Sequence, residues 1–435
     1  MKHFTQHQEN RIDRQIDTQL QLITQTILEN IPYVRSILLT GGFGKGEGSV
    51  EKTQDGKIIC LRDFDIVVIA DRIPRRKKVQ KLYDQIYRSL DLTNPEKMIF
   101  RFSNFVVDIK FLRKKDLIYP DIWFYDLKAA SQLLYGEDIR NRIPWSKKDI
   151  PLSSGLRILF EKMCGLLGIV SYDYLKAKKH SEEKKRLLIF ECYKTFIEIC
   201  TALCILAGRY EPKYADRAKI FEKLYFDEFP ELAKVLPDLP KTVVKCTSFK
   251  LKPDFTKVHE NSVDLWFSTR DHLCTILHFY ITRYLDITTL NWENLPSFTK
   301  NVARHYYKPF LNSLIYTKLR SSNRILLDVA SFLYQTLANL EYAYVVTRNV
   351  GRLYLHPLRR CYISPSLKLF QAGIMILSSL RRDGTVEKRL LEKAAKELSH
   401  CIPVDISTLD ESGWEVLRRQ FLRAYSLYRG YHFVK

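Results

Sequence analysis

The chain has 435 residues, 46% of them hydrophobic and 12% aromatic, which excludes a disordered protein and exceeds what one compact core accommodates, so two or three domains are expected. A formal net charge of +21 points toward polyanions, nucleic acid among them, yet the basic runs Arg75 to Lys78, Arg113 to Lys115, Lys176 to Lys179 and Arg352 to Arg360 are spread along the chain as solvated faces also are. Nine scattered cysteines, odd in number and set in apolar runs, exclude a disulfide framework and fit reduced, buried thiols in a cytoplasmic protein.

Met1 to Gln6 is too polar for a signal peptide. Glu9 to Glu29 carries Ile12, Ile16, Leu20, Ile23 and Ile27 at helical spacing, and the pattern stops at Asn30-Ile31-Pro32. Ser36 to Leu39 then predicts a buried strand, followed by Gly41-Gly42-Phe43-Gly44-Lys45-Gly46-Glu47-Gly48-Ser49. Glycines here let the backbone approach an anion without Cβ interference, which makes Gly41, Gly42, Gly44, Lys45, Gly46 and Ser49 the candidate phosphate-binding residues. Asp-Gly within Gln54 to Lys57 predicts a hairpin turn. Asp63 and Asp65 enter a second apolar run, where positions i and i+2 share a face. After a helix over Val79 to Ser89, Phe105 to Leu112 reads as a third strand interrupted by Asp108. If that strand neighbours the Asp63/Asp65 strand, three carboxylates meet. Such a set repels itself unless a divalent cation sits within it, and oxygen ligands suit Mg²⁺, alone or as a pair clamping a phosphoryl group.

Asp126 to Gly136 reads as a further helix, and Pro144 and Pro151 mark a linker. From Leu152 onward strand signals nearly vanish. Helical patterns cover Leu156 to Leu175, Lys184 to Ala207, Ala215 to Leu224, Val263 to Leu285, Ile325 to Arg348, Leu367 to Leu380, Val386 to His400 and Gly413 to Tyr428, with a break at Leu290 to Pro296. The most apolar segment, Leu187 to Ala207, contains Glu191, Lys194 and Glu198 and suits a core helix, so no membrane partner is expected. The fold class expected is α+β: a small mixed-sheet domain with its N-terminal helix over 1–145, a helical bundle over 150–290 and a C-terminal helical domain over 296–435.

The order strand, Gly-Gly-x-Gly-x-Gly-Glu, Asp-x-Asp on a strand and a lone Asp on a later strand resembles the nucleotidyltransferase superfamily whose best known member is DNA polymerase β, over residues 30–115, about a fifth of the chain. The resemblance implies that Gly41-Gly42 contact nucleotide phosphates. It also implies that Asp63 and Asp65 bind two Mg²⁺ ions, with Mn²⁺ as the alternative, and that Asp108 binds the catalytic ion and helps deprotonate the attacking hydroxyl. One departure is the 20 residues (43–62) between the glycine pair and the first aspartate, more than the family's usual spacing. The hairpin at 54–57 would absorb the excess. A second register, with Gly48-Ser49 as the phosphate pair, restores the spacing, but only Gly41-Gly42 follow the strand directly.

In relatives, a helical bundle after the catalytic unit closes over the nucleotide. This implies a place for Lys194 at the triphosphate, with Tyr210, Tyr214 or Arg217 nearby, against the alternative of a core helix whose Lys and Glu snorkel to solvent. Arg352 and His356 are too close for the nuclease signature of HEPN-like helical domains. The expected activity is metal-dependent transfer of a nucleoside monophosphate from a nucleoside triphosphate, ATP first, to a hydroxyl of a small-molecule or protein acceptor. An RNA or tRNA 3′-end acceptor is one alternative. A non-catalytic nucleotide- or nucleic-acid-binding protein that keeps the fold is the other.

Overall fold

In the computed structural model, which describes residues 3–7, 9–52, 58–90, 106–118, 120–177, 179–287, 324–359, 361 and 363–432, the five apolar residues at helical spacing line one buried face of α1 (Asn10–Asn30). That face needs a partner, and the sheet that follows supplies it. Strand β1 (Val34–Leu39) runs into one helical turn, α2 (Gly41–Gly44), where an open turn was expected. Strands β2 (Val50–Lys52) and β3 (Ile58–Cys60) pair antiparallel, while the predicted turn at 54–57 lies outside the described residues. Next come β4 (Phe64–Ala70), α3 (Arg76–Ser89), β5 (Val107–Leu112), α4 (Ile122–Ala130) and β6 (Gln132–Gly136).

The main sheet has the order β5-β4-β1-β6. It is mixed, with β4 and β5 parallel and β1 antiparallel to both β4 and β6. Alternation assigns its two faces. Ile37, Leu39, Phe64, Ile66 and Val68 meet α1 and α3 on one side. Leu38, Val67, Ile69 and Leu112 meet Phe124 and Leu127 of α4 on the other. Burial on both faces is why β4 reads as a nearly continuous apolar run.

The helix expected over 126–136 is corrected. It ends at Ala130, Ser131 adopts extended backbone, and Gln132–Gly136 forms an edge strand against β1. Three apolar residues, Leu133, Leu134 and Tyr135, carry no period that separates strand from helix, and pairing with β1 decides the matter.

By internal contacts the chain divides into two units, Met1–Ile150 with Ala207–His259, and Pro151–Leu206 with Glu260–Lys435. Segment 207–259 therefore belongs with the sheet. It forms helices Tyr214–Glu228, Pro230–Val235 and Leu239–Leu251, the last two of which the periodicity did not reveal. The boundary expected at 290–296 lies outside the described residues.

The second unit is helical, with Leu152–Ile169, Glu182–Leu206, Ser262–Leu285, Arg324–Val350, Pro365–Ser379, Lys388–Leu398 and Glu411–His432 as its main elements. Helix Pro365–Ser379 is buried along nearly its whole length. Three large buried polar side chains of this unit find carbonyl or amide oxygen partners. The indole of Trp266 donates to the Leu166 carbonyl at 3.1 Å and that of Trp414 to the Ile376 carbonyl at 2.8 Å. The Lys368 ammonium donates to Asn339 Oδ1 and to the carbonyls of Pro357 and Arg359 at 2.6–2.9 Å. Among the described residues, no helix is long and apolar enough to cross a membrane.

Candidate metal centre

Sheet topology brings the glycines and the acids to one place. Because β1 and β4 are antiparallel, the end of β1 lies beside the start of β4: Leu39 pairs with Ile66, and the Thr40 amide donates to the Asp65 carbonyl at 2.8 Å. Because β4 and β5 are parallel, Asp65 and Asp108 are register partners. Asp63 sits two residues before Asp65. Period-two geometry puts all three acids on the face occupied farther along by Val67, Ile69 and Leu112. Asp63, Asp65 and Asp108 each place a carboxylate oxygen within 4.8 Å of the others, with Asp63 and Asp65 half-buried and Asp108 exposed.

Ionised carboxylates at that range repel by about 1 kcal/mol in water and about 3 kcal/mol at the effective dielectric of a protein surface. A set of hard oxygen donors in this geometry could hold a metal ion. Gly41 supplies the second observation. It has φ +61°, and a Cβ built there would lie 1.8 Å from Asp65 Oδ2. The main chain thus passes directly under a carboxylate, in space that a side chain would fill.

The remaining sequence-predicted residues occupy different surroundings. Amides of Gly44, Lys45, Gly46 and Glu47 bond within the turn, to the carbonyls of Thr40, Gly41, Phe43 and Gly42. The Lys45 ammonium is buried and pairs with Asp126 Oδ2 at 2.6 Å, while the Tyr210 hydroxyl donates to Asp126 Oδ1 at 2.7 Å. Burial, then the Asp126 charge, pushes the Tyr210 hydroxyl well above the usual tyrosine range. Gly48 donates its amide to the Phe4 carbonyl, and a Cβ there would lie 2.2 Å from the Phe43 ring. Ser49 is buried with its Oγ 3.4 Å from Lys250 Nζ. Of the two glycine registers, Gly41-Gly42 is the one beside the acids. Lys194 lies in the helix Glu182–Leu206 of the second unit, half-buried.

Sequence reasoning missed the residues that hold this arrangement. On α3, Tyr83 and Tyr87 are four apart and so share a face, and their hydroxyls accept the amides of Ile109 at 3.0 Å and Val106 at 3.3 Å. They bond the amides just before and within β5, on either side of Asp108. Burial raises the Tyr83 hydroxyl, and the charges of Asp108 and Asp63 add to the effect. A pair of tyrosines four apart on a basic helix carries no mark of this role. Glu47 and Lys250 were equally unmarked.

No family model matches this chain, and no curated protein matches it in sequence.

Proposed function

We propose that the chain is a metal-dependent nucleotidyltransferase of the DNA polymerase β type. It would transfer a nucleoside monophosphate from a nucleoside triphosphate, ATP first, to a hydroxyl of a small-molecule or protein acceptor, with release of pyrophosphate. The observation that supports this best is the meeting of three carboxylates within 4.8 Å beside a glycine with no room for a Cβ. Asp63 and Asp65 would hold two Mg²⁺ ions, and Asp108 would share the one nearer the acceptor; Mn²⁺ suits the same donors. Divalent ions held there lower the pKa of the acceptor hydroxyl and neutralise charge developing on the α-phosphoryl group.

The protein's own contribution is positioning. The amides of Gly44 to Glu47 are spent within the turn, so phosphate contacts would fall to Gly41, which lies against the Asp65 carboxylate, and to Gly42. Lys45 and Ser49 serve the turn instead of the nucleotide. Asp108, the exposed member of the three, would also accept the acceptor's proton. A polynucleotide 3′ end is the second reading, favoured by the net charge of +21.

The test is incubation with α-labelled ATP, GTP, CTP and UTP and Mg²⁺ or Mn²⁺, with and without RNA. Label should move to an acceptor, and Asp63→Asn with Asp65→Asn should reduce transfer by several orders of magnitude. Transfer that survives the double substitution would overturn the proposal. Labelling that requires RNA selects the second reading.

A further inference from the structure

We propose that Glu47 is the positioning residue of the phosphate turn: its carboxylate and main chain, with the Lys250 ammonium, fasten Gly41 to Ser49 onto the helices of segment 207–259 and so fix where Gly41 and Gly42 stand relative to Asp65. Glu47 is 0% exposed, and a carboxylate so buried persists only where its oxygens are bonded. One oxygen accepts the Tyr214 amide at 2.6 Å and the other the Ala215 amide at 3.0 Å. These are the first amides of the helix Tyr214–Glu228, whose own N-cap, Lys213, provides no side-chain bond. Glu47 is thus that helix's cap, supplied from 167 residues earlier in the chain and placed at the positive end of the helix dipole.

The main chain of Glu47 is committed as well. Its amide donates to the Gly42 carbonyl at 2.8 Å and closes the turn. Its carbonyl accepts from Lys250 Nζ at 2.9 Å, and that ammonium lies 4.2 Å from the centre of the Tyr214 ring. A Cβ on Gly42 would come 3.3 Å from the Glu47 carbonyl oxygen and 3.4 Å from Lys250 Nζ. One residue therefore joins Gly42, the start of one helix and a lysine of the helix Leu239–Leu251. The Lys45 pair with Asp126 clamps the same turn from a second side.

The effect on activity rests on the reading of Gly41 and Gly42 as the phosphate turn, but the coupling belongs to the fold and is measurable without nucleotide. Hydrogen exchange is followed by mass spectrometry in the wild-type chain, in Glu47→Gln, which keeps one acceptor oxygen, and in Lys250→Met. Both variants should exchange faster at 41–48 and at 214–217 together, with the amides of β4 unchanged. Mn²⁺ affinity should stay within twofold, while KM for the nucleotide rises at least tenfold and kcat falls less. Lys250→Met leaves the capping carboxylate intact and supplies the same comparison if Glu47→Gln fails to fold. Faster exchange confined to the helix, or metal and nucleotide affinity lost in parallel, would overturn the positioning role. If the wild-type chain transfers no label from any nucleotide, the proposed function falls and the exchange pattern still decides the coupling. If transfer is present and neither exchange nor KM moves, the positioning role falls and the function stands.

Discussion

Gly41 shows how one residue type can be required by the space a neighbour's carboxylate occupies as well as by its own backbone. Its φ of +61° alone makes a side chain unfavourable by about 1–2 kcal/mol. The position a Cβ would take, 1.8 Å from Asp65 Oδ2, adds a demand that the Asp65 carboxylate move. That carboxylate is the end of a short side chain, so the fold should tolerate the displacement better than the metal site does. Gly41→Ala is expected to keep a cooperative melt and to lose at least tenfold in Mn²⁺ affinity by calorimetry. Gly46→Ala is the control, since its φ is +73° but its nearest neighbour is the His3 carbonyl, with no acid involved. Equal Mn²⁺ affinity in Gly41→Ala and wild type would show that the glycine is there for the turn alone. The three aspartates were legible because spacing, apolar context and order all pointed one way. Lys45 was misleading because a lysine among glycines suggests phosphate, whereas its partner, Asp126, lies far off in sequence.

Among the elements, those with a long uniform pattern were read correctly, and those defined by their neighbours were not. The isoleucines of α1 repeat along the whole helix, and the apolar runs of β1, β4 and β5 stand out against their flanks. Strand β6 has no such signature, and its five residues became a strand because β1 offered an open edge. At the opposite edge, β5 pairs with β4, and the tyrosines of α3 bond the amides of Val106 and Ile109. Asp108 therefore depends on α3 for its place. Tyr83→Phe removes the acceptor of the Ile109 amide while keeping the ring's packing, at an expected cost of about 1 kcal/mol. Amide exchange at 107–110 should quicken, and transfer activity should fall more than the melting temperature does. Unchanged exchange across β5 in Tyr83→Phe would show that β4 alone holds the strand.

Across the molecule, the two units were visible in the sequence only as a change from mixed to helical pattern. That segment 207–259 returns to the sheet unit was hidden, because its docking depends on a buried glutamate, a lysine and two helix amides with no local periodicity to report them. Both units share one further property that the sequence did foretell, the burial of reduced thiols. Desolvation pushes the thiol of Cys60, in the sheet unit, up to about 12, and does the same to Cys192 and Cys401 in the helical unit. In the unfolded chain these thiols ionise near their ordinary value of 9.0. Between those values the unfolded state releases protons that the folded state keeps. Stability from these groups is therefore complete below pH 9 and is lost as pH rises toward 12, by about 1 kcal/mol per thiol per pH unit. Buried hydroxyls such as those of Tyr280 and Tyr342, raised in the same direction by burial, steepen the loss. Urea midpoints measured under reducing conditions at pH 7, 9, 10 and 11 should be level up to pH 9 and then decline. Cys192→Ala with Cys401→Ala should lower the midpoint at pH 7 by leaving cavities yet flatten the alkaline decline. A decline equally steep in that double variant would assign the alkaline loss to groups other than these thiols.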